Sequence, residues 1–176
     1  MWPASSRLPK RIGELTLLVI AHPRCSCTRA TLGELARIMS RADHGLSACV
    51  VFALPAGRDS SWIEADLWRA ASSIPGARVF VDQDGAEARR FGTATSGQTL
   101  LYDGRGRLRF AGGITPGRGH AGDNAGADAV VAAANAGTMT ATARASDRDA
   151  GGRSETPVFG CALATTSGAG SRRCIQ

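Results

Sequence analysis

The apolar residues of the first 136 positions follow two different patterns, one typical of helices and one typical of buried strands. In residues 28–42 apolar side chains recur three and four positions apart, which predicts a helix with one buried face. Residues 46–54 are continuously apolar, the pattern of a strand buried on both sides. Strands are predicted at residues 16–21, 46–54, 77–81, 99–102 and 108–111. Helices are predicted at residues 28–42, from a Ser61–Glu64 capping box through Ala71, at 86–91, and from an Asp123 or Asn124 cap to 136.

This order, βαβαβαββα, predicts an α/β domain with a central mixed sheet, an antiparallel edge and flanking helices. We expect residues 1–14 to be an N-terminal segment and residues 15–136 to be the domain. Residues 137–176 are rich in Gly, Ala, Ser and Thr without a period, which predicts a largely disordered tail. An apolar island around Cys161, residues 156–163, interrupts that tail.

Charge and composition exclude some classes of function. The 176 residues carry a net charge of +6, but the 21 basic residues are scattered and aromatic residues make up only 5%. Nucleic-acid binding requires a concentrated basic patch, so no nucleic-acid partner is expected. No apolar run is long enough to span a bilayer. As it stands the sequence predicts a cytoplasmic protein; a missing N-terminal anchor would instead make it periplasmic or envelope-facing.

The five cysteines include one close pair, Cys25-Ser26-Cys27, at the junction of the first strand and first helix. Backbone N–H groups at a helix start favour a thiolate over a thiol, so Cys25 is the candidate nucleophile. Arg24, Arg29 and His22 would add positive potential there. Cys49 lies in the middle of a predicted strand and is expected in the core. Cys174 is interpreted as incidental.

The stretch LLVIAHPRCSCT, residues 17–28, resembles the strand and active-site turn of thioredoxin-like proteins, in which a Cys-x-x-Cys motif opens a helix. Residues 99–107 are similar to the strand-turn-strand that follows the cis-proline of that family. The element order resembles the TlpA and peroxiredoxin branch. At finer grain, residues 22–28, 96–99, 119–122 and 159–161 resemble the poorly characterised RedB-type proteins.

The resemblance implies a thioredoxin-like fold and thiol-disulfide redox chemistry, with two departures from the family pattern. Cys27 comes one residue early, and Thr28 stands where the second cysteine of the family would be. Gly97 occupies the place of the cis-proline in the substrate loop.

Three thiols are therefore candidate catalytic residues. Cys25 would attack a substrate disulfide, and a second thiol, Cys27 or Cys161, would resolve the mixed disulfide. Cys161 is equally well explained as an incidental cysteine of the tail. His120, in a glycine-rich loop, would tune a thiolate, bind a metal or merely cap its loop.

The leading hypothesis is a thiol-disulfide oxidoreductase without a cofactor, acting on a protein or small-molecule disulfide or thiol. One alternative is a copper-binding or copper-delivery protein, because soft thiolates select Cu(I); Cys25, Cys27 and His120 would be its ligands, with His22 as the other candidate for the nitrogen ligand. A thiol peroxidase ranks last, because His22 stands where the peroxidatic motif has a threonine.

Overall fold

A computed structural model describes residues 1–42, 45–63, 66–139 and 154–163 of the chain. Its strands are β1 (Leu15–Ala21), β2 (Leu46–Leu54), β3 (Ala77–Gln83), β4 (Thr99–Tyr102), β5 (Leu108–Gly112) and β6 (Ser154–Glu155). Its helices are α1 (Ser26–Arg41), α2 (Asp66–Ser72), α3 (Ala86–Arg90) and α4 (Ala125–Met139), with a 3-10 turn at Ser60–Trp62. The predicted α/β class and the order of its nine elements are confirmed, and a sixth strand follows them.

The strands form one mixed sheet in the order β3-β2-β1-β4-β5-β6. β1, β2 and β3 are parallel, β4 runs antiparallel to β1, and β5 runs antiparallel to β4. The parallel pairing of β2 on both of its sides explains its continuously apolar sequence, because helices and chain segments cover both faces of the sheet. β1 lies inside the sheet, so the turn after it sits over the middle of one sheet edge.

Each face of the sheet has its own apolar core. On one face, alternate residues of β1 such as Leu17 and Val19 pack with α1, α2 and α4. On the other face, Leu18 and Ile20 pack with α3 and with the N-terminal segment. In that segment Leu8 is buried and Trp2 contacts aromatic rings of the second core edge-on. The N-terminal segment is thus part of the packed domain.

The structure corrects one predicted helix cap and decides between the two alternatives predicted for another. The capping box predicted at Ser61 does not start α2, which begins at Asp66; instead the Asp59 carboxylate accepts hydrogen bonds from the N–H and hydroxyl of Ser61 and holds the 3-10 turn. At α4, Asn124 rather than Asp123 is the cap, since its Oδ1 accepts the Ala127 N–H at 2.8 Å.

Residues 154–163, which we call the C-terminal strap, return to the sheet after α4. β6 pairs with β5, Ala162 bridges to Thr95, and the buried Leu163 joins the second core. The predicted apolar island is therefore docked on the domain. α4 extends three residues past the predicted end of the domain, and the rest of the predicted tail, residues 140–153 and 164–176, lies outside the described residues.

Candidate redox-active site

Cys25 lies at the end of the turn after β1 and is the N-cap of α1. Its backbone is extended, its N–H donates to the His22 carbonyl, and its own carbonyl accepts the Thr28 N–H. Its side chain makes no capping hydrogen bond. The thiol is thus held at the helix start, as predicted, but it is only 3% exposed.

The Cys25 thiol faces Cys161 of the C-terminal strap. The two Sγ atoms are 2.9 Å apart, which is longer than the ~2.05 Å of a disulfide but close enough for sulfur-to-sulfur attack. Cys25, Cys27 and Cys49 are free thiols, whereas Cys161 is disulfide-bonded. Cys25 and Cys161, two of the three predicted catalytic residues, are thus in contact through their sulfur atoms.

Cys27 lies in the first turn of α1 and is 4% exposed. Burial raises the pKa of its thiol, and the neighbouring Cys25 raises it further; a hydrogen bond from the Gly119 backbone and the charge of Arg118 act in the opposite direction. The thiol is therefore the favoured form of Cys27 at neutral pH. Sequence reasoning missed Arg118, although it belongs to the same glycine-rich loop that had drawn attention to His120.

The three residues predicted to add positive potential near Cys25 lie in different surroundings. The Arg24 guanidinium stacks on the Trp62 ring at 3.7 Å from its centroid, and the Arg58 guanidinium lies over the same ring. Arg29 is exposed on α1. Burial lowers the pKa of His22, with Arg24 adding to the effect, and the His22 Nδ1 accepts the Arg24 N–H at 3.2 Å. His22 is thus neutral near pH 7 and supplies a hydrogen-bond acceptor rather than a charge.

Thr28, at the position of the second cysteine in the family motif, ties the helix start to the loop before β4. Its hydroxyl donates to the His22 carbonyl at 2.9 Å and contacts the Ser96 Oγ at 2.9 Å. The His22 N–H donates to the Ser96 Oγ at 3.0 Å and to the Thr28 Oγ1 at 3.3 Å. All of these groups lie within or beside the turn that carries Cys25, so the turn is fixed by side-chain hydroxyls.

Gly97 follows Ser96 and hydrogen-bonds to the end of β1, beyond the residues that β4 pairs with. It has φ +85°, a conformation that strongly favours glycine, and its N–H donates to the Ile20 carbonyl at 2.7 Å. A Cβ at Gly97 would lie 3.1 Å from the Thr31 Oγ1 and 3.5 Å from the Phe159 carbonyl of the strap. Glycine is therefore favoured at position 97 by its backbone conformation, and a Cβ there would also crowd the Thr31 hydroxyl of α1.

His120 contacts its own loop. Its Nδ1 lies 2.6 Å from the Arg118 carbonyl, its N–H donates to the Gly117 carbonyl, and its side chain is exposed. The loop is fastened to α1 where the buried Glu34 carboxylate accepts the Gly122 N–H at 2.7 Å. Of the three roles considered for His120, this geometry favours capping of the loop.

Two further observations concern the other thiol and metals. Cys49 is buried in β2, as predicted, and burial raises the pKa of its thiol to about 11. Within the described residues, no three His, Cys, Asp or Glu side chains come together in a way that would hold a metal ion. The proposed copper set of Cys25, Cys27 and His120 is thus not preformed there.

Comparison with solved structures shows what the fold is similar to. The chain is 15% identical to an uncharacterized conserved protein from Geobacillus kaustophilus, with a TM-score of 0.62 over 96% of this chain and 95% of that one. It is 19% identical to a hypothetical protein from Sinorhizobium meliloti, with a TM-score of 0.57 over 89% and 82%. A thioredoxin-like protein solved in its oxidized form matches at 20% identity, TM-score 0.49, over 69% and 81%.

The fold of this chain is thioredoxin-like, as its own topology shows. A helix that begins at a cysteine follows β1, and β4 pairs antiparallel with β1 in the middle of the sheet. The predicted thioredoxin-like fold is confirmed, whereas the RedB-type resemblance stays a prediction. No family model and no curated protein matches the sequence. Among the described residues, no helix has the length and apolar content needed to cross a membrane.

Proposed function

We propose that this thioredoxin-like chain is a thiol-disulfide redox protein in which Cys25 is the attacking thiol and Cys161 is its exchange partner. The observation that carries the proposal is the 2.9 Å contact between the two Sγ atoms. It is supported by the position of Cys25 at the N-cap of α1, at the end of the turn after β1.

The proposed internal step is a disulfide exchange. The Cys25 thiolate attacks the Cys161 Sγ, a Cys25–Cys161 bond forms, and the cysteine previously bonded to Cys161 leaves as a thiolate. Electrons balance because one disulfide replaces another. A substrate carrying two thiols then reduces the Cys25–Cys161 bond and leaves as a disulfide; in the opposite direction a substrate disulfide oxidises the pair.

Cys27 is proposed as the second thiol of the site. It lies beside Cys25, but its raised pKa keeps it in the thiol form at neutral pH, which suits a reserve thiol better than a first nucleophile. A Cys25–Cys27 bond would close a very small ring, whereas Cys161 reaches Cys25 from a separate segment. The substrate class is a protein or small-molecule disulfide or dithiol.

Mapping of disulfides in glutathione buffers of graded potential tests this proposal. We expect a linked pair of peptides containing Cys25 and Cys161 in the wild type and in Cys27→Ser, and its loss in Cys25→Ser and Cys161→Ser. Cys49→Ser is the matched control, because Cys49 is buried in β2 away from the site, and it should leave the map unchanged. If Cys25 pairs with Cys27 and never with Cys161 at any potential, the proposed exchange partner is wrong.

A further inference from the structure

The C-terminal strap is seated on positions that only glycine fits. A Cβ added at Gly113 would lie 2.4 Å from the Pro157 carbonyl oxygen, and one added at Gly112 would lie 2.6 Å from the Thr156 carbonyl oxygen. From the strap side, a Cβ at Gly160 would lie 1.7 Å from the Ser96 carbonyl oxygen. The Gly112-Gly113 segment of the domain and Gly160 of the strap thus lack side chains where the two backbones meet.

Hydrogen bonds of the main chain hold the strap in this seat. The Ser96 N–H donates to the Cys161 carbonyl at 2.8 Å, and the Leu163 N–H donates to the Ala94 carbonyl at 2.9 Å. On the N-terminal side of Cys161, the Gly113 N–H donates to the Pro157 carbonyl at 3.2 Å, and the Thr156 hydroxyl adds a side-chain bond to the Gly113 carbonyl at 2.8 Å. Cys161 is therefore positioned by backbone pairing on either side of it, and this pairing does not depend on its sulfur.

The strap also determines what lies in front of the reactive thiol. Its Cys161 sulfur is in contact with the Cys25 Sγ, and the Cys25 side chain is almost completely removed from solvent. A substrate sulfur has to reach the Cys25 Sγ along the line of the bond that forms, so a seated strap and a bound substrate compete for the same space.

We propose that residues 154–163 are an internal lid that shields Cys25 when seated and exposes it when released, and that a Cys25–Cys161 disulfide fixes the lid in the closed position. The disulfide part rests on the function proposed above, through the same exchange that forms the bond. The shielding part depends only on the backbone seat.

Alkylation of the fully reduced protein tests the lid. Gly160→Ala and Gly113→Ala place a methyl group against the opposite backbone and should release the strap, whereas Gly33→Ala is the matched control because its Cβ meets nothing within 4 Å. We expect Cys25 to react with iodoacetamide about tenfold faster in the first two variants and at the wild-type rate in the control. Hydrogen exchange at the Ser96 and Leu163 amides reports release of the strap independently.

Repeating the measurement with Cys161→Ser separates the lid from the redox function. Protection of Cys25 that persists in Cys161→Ser and is lost in Cys161→Ser/Gly160→Ala supports the lid even if no Cys25–Cys161 disulfide ever forms. Faster amide exchange with unchanged Cys25 alkylation overturns the lid while leaving the proposed function standing. Unchanged amide exchange in both glycine variants also overturns it, because the glycine seat would then not be what holds the strap.

Discussion

Removal of the Thr28 hydroxyl should destabilise the domain by about 2 kcal/mol, because the hydroxyl links the turn before α1 to the loop before β4. Thr28→Val removes one donated bond to the His22 carbonyl and one contact with the Ser96 Oγ. The His22 N–H also loses its bond to the Thr28 Oγ1 at 3.3 Å but keeps its shorter bond to the Ser96 Oγ at 3.0 Å, so only the other two interactions are counted, at about 0.5–1.5 kcal/mol each. For a chain of this size the loss corresponds to a fall in melting temperature of about 4–8 °C.

Urea unfolding of Thr28→Val, with Thr28→Ser as the control that keeps the hydroxyl, measures this difference. The side chain is almost fully buried, so the variant leaves polar partners without water to replace the lost hydroxyl. We expect Thr28→Ser to keep more than half of the unfolding free energy that Thr28→Val loses. A Thr28→Val protein within about 0.5 kcal/mol of the wild type would refute the reasoning, since surface substitutions produce changes of that size.

Two further predictions concern the thiols. Because the pKa of Cys49 is raised from 9.0 to about 11 in the folded protein, stability should fall as the pH rises above 9, and Cys49→Val should reduce this dependence; unfolding curves at pH 8 and 10 check it. For the copper alternative, we expect any Cu(I) binding measured by competition with bicinchoninate to be lost in Cys27→Ser and unchanged in His120→Ala, because the His120 Nδ1 contacts the Arg118 carbonyl. Loss in His120→Ala would contradict that geometry.

The sheet could be predicted from sequence because its signals are local. Continuous apolar residues in β2 and the strand-to-helix junction at Cys25 depend on neighbours a few positions away, and both were placed within one or two residues. Helix starts were less certain, since several hydroxyl and carboxylate side chains compete for one cap: Ser61 was predicted to start a helix, but it binds the Asp59 carboxylate in a 3-10 turn and α2 begins only at Asp66.

The contacts of the site could be predicted only in part, because they join segments far apart in the chain. Cys161 could be considered because it is a thiol in an apolar island, but no local pattern predicts that its Sγ lies 2.9 Å from the Cys25 Sγ. It indicated positive charge at Arg24 but not that the guanidinium stacks on Trp62. Arg118 acts on Cys27 across the fold, and no pattern in its own neighbourhood points to that contact.

The hydroxyl of Thr28 is linked to the third sulfur of the site. It contacts the Ser96 Oγ at 2.9 Å, and the Ser96 backbone N–H donates to the Cys161 carbonyl at 2.8 Å. Thr28 thus helps to hold the loop on which the strap is seated, and the strap places the Cys161 Sγ 2.9 Å from the Cys25 Sγ. This coupling implies that Thr28→Cys, which removes the hydroxyl, would weaken the seat of the strap.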